Sequence, residues 1–140
     1  MSLEENKTVM RRLYEEVWNK RNLSIVDELV AVDFLDHNSS AGLAPGIDGF
    51  KQGLAIAIAT FPDIHLTIED LIAEGDKVVS HLIARGTHKG EIMGIPPTGK
   101  QVAFTCIDIV RIDSGKIMER WSLIDVSNMM HQLHVVPPPR

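Results

Sequence analysis

The apolar positions of this chain change period near Pro62. Before it they recur every three or four residues, and after it they alternate with polar ones. Met10, Leu13, Tyr14, Val17 and Trp18 form one stripe, since a helical repeat brings such positions to one face. Ser2-Leu3-Glu4-Glu5 ahead of them has capping-box form, with serine and glutamate each satisfying an amide at the helix start. This helix is expected to run to about Asn19. A shorter one opens at Ser24 and closes at Val30, and Asp33 to His37 is extended. A third helix carries Phe50, Leu54, Ile58 and Phe61, with Asp48 as its cap and Pro62 as its stop.

Ile64, Leu66 and Ile68 then alternate with His65, Thr67 and Glu69, the pattern of a strand. It reaches about Ala73, turns at Glu74-Gly75-Asp76 and returns over Lys77 to Thr87. Gly94 and the run Ile95 to Gly99 mark a loop. Gln101 to Ile112 is a third strand, Asp113-Ser114-Gly115 a turn, Lys116 to Val126 a fourth strand, and Asn128 to His134 a closing helix. Helices followed by a meander of strands imply an α+β fold, with the N-terminal helices covering one face of an antiparallel sheet. A sheet that curls around them encloses a cavity lined by inward-facing residues.

Turn length fixes which residues meet across the last hairpin. A three-residue loop at Asp113 to Gly115 opposes Asp108 to Arg120 and Ile107 to Trp121, and sets Asp125 beside Ala103. A two-residue loop opposes Asp108 to Trp121 instead. The first register is preferred, because it pairs opposite charges on one face and apolar groups on the other. It directs Ile107, Ile109, Trp121, Leu123 and Asp125 inward, and Cys106, Asp108, Arg120 and Ser122 outward.

Asp125 therefore stands out. It shares a face with Trp121 and Leu123, and a carboxylate on an apolar face is costly to bury unless paired, protonated or used. Desolvation raises its pKa toward the range of proton transfer. The alternative is a strand-end aspartate that reaches solvent or caps the segment after it.

Bulk properties narrow the choices. The 140 residues suit one domain, drawn here as 1–136, with Pro137-Pro138-Pro139-Arg140 as a tail. The net charge of −5 argues against general affinity for nucleic acid or anionic membrane. The longest apolar run, Leu54 to Ala59, is too short to span a bilayer, and Met1 to Arg12 lacks a signal-peptide core. A cytoplasmic location is the default expectation. The single cysteine, Cys106, excludes an internal disulfide and reads as a buried filler. His131 with His134, and His65 with His81, each lack a third ligand, so no metal is expected.

Several segments together resemble the SnoaL-like polyketide cyclases of the nuclear-transport-factor-2-like superfamily. They are Gly86-Thr87-His88-Lys89-Gly90 with Gly94-Ile95-Pro96-Pro97-Thr98-Gly99-Lys100, Gly115-Lys116-Ile117 leading to Glu119, Trp121 and Asp125, Gln132-Leu133, and Phe34-Leu35-Asp36-His37-Asn38. The resemblance implies a cone-shaped α+β barrel and a homodimer joined through the outer sheet face. It implies an intramolecular aldol ring closure on an apolar polycyclic carbonyl or ester substrate, with no cofactor, and Asp125 as general acid/base. Asn38 would donate to a carbonyl or enolate oxygen, or form a turn with Ser39. His37 would reach the cavity, Tyr14 border it and Trp121 wall it. His88 would reach the cavity mouth or hold the following loop. The sequence departs from the pattern in placing Ile107 and Ile109, and no histidine, on the preferred inward face of the third strand. The same scaffold also hosts isomerase and epoxide-hydrolase chemistry and non-catalytic binding or dimerisation modules, because fold alone does not set function.

Overall fold

The computed structural model describes residues 2–38 and 42–134. Ser39 and the proline-rich tail lie outside the described residues. Helix α1 (Leu3–Arg12) opens with the expected capping box: Glu5 N–H donates to Ser2 Oγ, and Ser2 N–H donates to the Glu5 carboxylate. Without a break the chain widens into a seven-residue π-helix over Leu13–Asn19. A 3₁₀ turn (Leu23–Ile25) leads into the one-turn helix α2 (Val26–Leu29) and strand β1 (Val30–Asp36). Helix α3 (Gly46–Thr60) begins two residues before the expected cap, leaving Asp48 in its first turn. Four strands follow, β2 (His65–Glu74), β3 (Lys77–Thr87), β4 (Gln101–Asp113) and β5 (Lys116–Ile124), and helix α4 (Val126–Gln132) closes the described chain.

The strands form one sheet in the order β1-β5-β4-β3-β2, antiparallel except where β1 runs parallel to β5. Met10, Leu13, Tyr14 and Val17 of the first helix are buried with Val78, Leu82, Val102, Phe104, Val110 and Ile112 of β3 and β4. Even-numbered residues of β3 and β4 thus face the helices. Among the described residues, no helix is long and apolar enough to cross a membrane.

This inverts the expected facing of the last hairpin. Its turn has two central residues, Ser114 and Gly115, both at positive φ (52° and 79°), the geometry that joins twisted strands tightly. Asp113 pairs with Lys116. The ladder then passes from Ile112↔Ile117 to Arg111↔Glu119, so Met118 is an extra residue. This bulge shifts the register once more, and Asp108 meets Ser122 while Ile109 meets Trp121. Cys106, Asp108, Arg120 and Ser122 lie on the concave face. Ile107, Ile109, Trp121 and Leu123 lie on the convex one, where Leu123 is 71% exposed. Cys106 is buried, as expected of a filler, and burial pushes its thiol up to about 12, with the Asp108 charge adding to the effect.

The Gly-Thr-His-Lys-Gly segment is a clasp between β3 and the end of α3. A Cβ on Gly86 would lie 2.8 Å from the Phe61 side chain, and one on Gly90 would lie 2.4 Å from the Ala59 carbonyl oxygen. Thr87 donates through N–H and Oγ1 to the Asp63 carboxylate, at 2.6 and 2.7 Å. Lys89 and Gly90 donate their N–H groups to the Thr60 carbonyl. Backbone cannot yield as a flexible side chain does, so Gly90→Ala is expected to destabilise by about 2 kcal/mol, in the range of overpacked interiors. Gly53→Ala, in mid-helix with only Leu43 nearby at 3.7 Å, is expected to stabilise by up to about 1 kcal/mol through helix propensity. Urea unfolding of both variants measures the contrast, and equal effects of one sign would contradict the clasp.

Candidate active site

The polar groups of the concave face gather around Asp108, which is 8% exposed. Tyr14, at the start of the π-helix, donates its hydroxyl to Asp108 Oδ2 at 2.9 Å. Ser122 donates Oγ–H to Asp108 Oδ1 at 2.5 Å. Ser80, opposite Asp108 on β3, is fully buried beside them. Burial and then the Asp108 charge hold the Tyr14 phenol well above the usual tyrosine range. Tyr14 therefore keeps its proton and acts as a donor. Each carboxylate oxygen has two lone pairs, so both oxygens of Asp108 retain acceptor capacity after these bonds.

One step nearer the β1 edge, Arg120 pairs with Asp36 at 2.5 Å, both side chains largely buried. The guanidinium lies 5.2 Å from the Phe50 ring centre and 5.6 Å from that of Phe34. Phe34, Asp36 and Phe50 line a cavity of about 260 Å³ with Pro45, Gly46 and Gly49 at the start of α3. Asp108, Tyr14, Ser122 and Arg120 are not among the residues that line it. A shallower groove of about 410 Å³ lies at the far end of the sheet between Arg85, Gln101 and Gln132; it contains none of the groups just described.

The expected site residues are dispersed. Asp125 is exposed and caps α4, accepting from Asn128 N–H at 3.1 Å. The expectation that it is buried beside Trp121 is corrected: β5 ends at Ile124, two residues short of the expected Val126, and the face that carries Trp121 is the outer, convex one. Trp121 is likewise no pocket wall. It stacks on His37 on the convex side, with ring centres 4.4 Å apart, and Lys77 lies over the ring at 5.2 Å. His37 does not reach the cavity, since its Nε2 bonds Glu119 at 2.8 Å. Asn38 is exposed and its amide oxygen accepts from Ser122 N–H at 2.7 Å, while its own N–H donates to Asp36. It is a turn residue that fixes Ser122, rather than a free donor in the cavity. His88 is buried past the end of β3, where Thr98 N–H donates to Nδ1 at 3.2 Å, so it holds the following loop. Among these expected residues, Tyr14 alone touches the buried carboxylate.

Asp108, Ser122, Ser80 and the Asp36–Arg120 pair are absent from the site expected on sequence. The signal for Asp108 is nevertheless there: it is the only polar member of the row Val102, Phe104, Cys106, Val110, Ile112.

This architecture and interior define a cone-shaped α+β protein with a carboxylate enclosed between helix and sheet. The chain belongs to the SnoaL-like polyketide cyclase family, whose model matches residues 8–133. It is 30% identical to the nogalonic acid methyl ester cyclase of Streptomyces nogalater over 110 residues, 77% of this chain and 82% of that one. Among solved structures, IdmH from Streptomyces antibioticus superposes with a TM-score of 0.80 at 35% identity, covering 93% of this chain and 99% of that one. TsrD from Streptomyces laurentii superposes at 0.88 with 25% identity, covering 97% and 99%.

The convex cluster carries a pH dependence. The His37 hydrogen bond, and then that of Arg111, hold the Glu119 carboxyl below its ordinary value of 4.5. A carboxyl lowered in the folded state contributes stability above its unfolded pKa and loses it as pH falls through the folded one. Stability is therefore expected to drop as pH is taken from 5 toward 3, and Glu119→Gln to flatten that slope. Urea midpoints across this range measure it; an unchanged slope in the variant would refute the assignment.

Proposed function

We propose that the protein is a cyclase that closes a ring by intramolecular aldol condensation on an apolar polycyclic carbonyl or ester substrate. In this reading Asp108 is the acid/base, taking the role that the sequence resemblance gave to Asp125. The observation that carries it is the buried carboxylate on the concave face, held by Tyr14 and Ser122. Asp108 removes a proton from a carbon flanked by carbonyl groups. The resulting enolate carbon attacks a second carbonyl of the same molecule. A carbon–carbon bond forms as the carbonyl π pair moves to oxygen, and Asp108 returns the proton to that oxygen. Nothing is oxidised or reduced, and no cofactor enters the balance. Enclosing both reacting ends of one substrate supplies further acceleration. The cytoplasm remains the proposed location.

Nogalonic acid methyl ester, the compound in the relative's name, is the natural test substrate. Asp108→Asn is expected to lower kcat by about a hundredfold or more, the scale of a lost general base. Asp125→Asn is expected to leave kcat within about twofold, because asparagine caps a helix as well as aspartate does. Chromatography of the cyclised product follows both. The reading fails if Asp125→Asn abolishes turnover while Asp108→Asn, still folded by circular dichroism, turns over normally.

We also infer a homodimer through the convex sheet face. What supports it is the apolar character of that face, with Ile72 58%, Ile109 36% and Leu123 71% exposed beside Trp121. Exposed apolar clusters of this kind mark association surfaces. Sedimentation at micromolar concentration is expected to give twice the chain mass, and Leu123→Lys to give the monomer. A monomeric wild type would remove the idea.

A further inference from the structure

We propose that Arg120 is the oxyanion-binding residue of this site, and that the substrate therefore offers it a neutral carbonyl that becomes an enolate, and not a carboxylate. The proposal rests on the acid/base reading of Asp108 and deepens it. Three observations converge on it.

The first is position. Arg120 and Ser122 lie two residues apart on one face of β5, opposite Val110 and Asp108. Two residues of a strand span about 6.5 Å, short enough for side chains at the Arg120 and Asp108 levels to converge on neighbouring atoms of one conjugated unit. The guanidinium also contacts Phe34 and Phe50 and bonds Asp36, all three in the wall of the 260 Å³ cavity. Flat aromatic walls suit the apolar rings of the proposed substrate.

The second is an unused donor. A guanidinium has five N–H groups in a fixed fork. Arg120 Nη2 is engaged by Asp36, but Arg120 Nε is buried and has no hydrogen-bond partner among the described residues. A buried donor on a charged group is costly to leave unpaired. An acceptor oxygen from a bound molecule satisfies it.

The third is charge. Asp36 already neutralises Arg120, and Tyr14 is neutral, so the ionised Asp108 leaves this interior one unit negative. A second carboxylate would meet an uncompensated like charge at low dielectric. A neutral carbonyl meets none. When Asp108 takes the proton, its negative charge disappears as the same charge appears on the enolate oxygen. The total is unchanged, and Arg120 binds that oxygen more strongly after proton transfer than before it. Interactions of this kind lower the barrier, because they strengthen as the charge develops.

The test uses 2-naphthol, a two-ring phenol whose naphtholate form is distinguished by fluorescence, with 2-naphthoate as a permanent carboxylate. Asp108→Asn stands in for the protonated carboxyl. In that variant naphtholate is expected to bind at least about tenfold more tightly than naphthol, given the strength of charge-assisted hydrogen bonds. Adding Arg120→Met is expected to abolish the preference. Arg120→Lys, which keeps the charge and lacks the Nε–H, is expected to lose most of it, and this variant decides the matter should the methionine protein not fold. Wild type is expected to bind 2-naphthol more tightly than 2-naphthoate. The proposal is overturned if Asp108→Asn shows no preference for naphtholate, if the preference survives Arg120→Lys intact, or if wild type prefers naphthoate. Loss of the preference on changing Arg120 in a protein whose turnover ignores Asp108→Asn would sink the acid/base reading and leave Arg120 as an anion-binding residue.

Discussion

The structure depends on a carboxylate that is buried and yet bonded. Asp108 sits at the centre of β4, away from water, and receives one hydrogen bond from the first helical segment and one from β5. An uncompensated charge there would cost several kcal/mol, so the helix and the strand are tied to one point. Tyr14 reaches that point from the first turn of a π-helix, an unusual geometry often found at functional sites. Ser122 is in turn held by Asn38 at the end of β1. Helix, both central strands and the parallel edge strand thus meet through one side chain. Removing it alters chemistry and architecture together.

Much of the fold is legible in the sequence. The helical stripe of Met10 to Trp18, the capping box at Ser2 and the hairpin at Gly75 obey local rules that need no tertiary partner. The facing of β4 and β5 is different. The even row of β4, Val102 to Ile112, is apolar but for Asp108, whereas the odd row mixes Ala103, Ile107 and Ile109 with Gln101, Thr105 and Arg111, so alternation favours burying the even row. Charge pairing between Asp108 and Arg120 favours the opposite choice only if charged residues face water. Here the reverse holds for Asp108, Arg120 and Ser122, which lie on the concave side, while Arg111 and Glu119 pair on the convex one. The bulge at Met118 was equally hidden, since an extra residue leaves no mark on composition. A lone carboxylate in an apolar row does mark the interior. The residue so marked is Asp108 and not Asp125, because the row from Val102 to Ile112 is the more completely apolar and the one buried.

The segments that carry the family resemblance mostly build, and do not react. Gly86 and Gly90 admit Phe61 and the end of α3, and His88 fastens the loop through Thr98. Gln132 presents its amide to both the N–H and the carbonyl of Ala103, at 2.8 and 2.6 Å, completing the β4 ladder where β5 has ended. These constraints act on backbone positions that tolerate few residue types. They are strong markers of architecture for that reason, and weak markers of chemistry, which rests on side chains that the same backbone can exchange.

The inverted polarity of the sheet links the interior to the exterior. Every residue of a strand that turns a polar group inward turns its neighbours outward. Placing Asp108, Arg120 and Ser122 on the concave side sets Ile107, Ile109, Trp121 and Leu123 on the convex one. The sequence can make both faces polar only by giving up the β-branched and aromatic residues that suit these strands. A polar cluster inside this short sheet therefore comes with apolar residues on its exterior. The cluster of His37, Trp121, Lys77 and Glu119 covers part of it. Leu123 and Ile72 remain open. The same register that assembles the candidate active site thus creates the surface on which a second copy is proposed to rest.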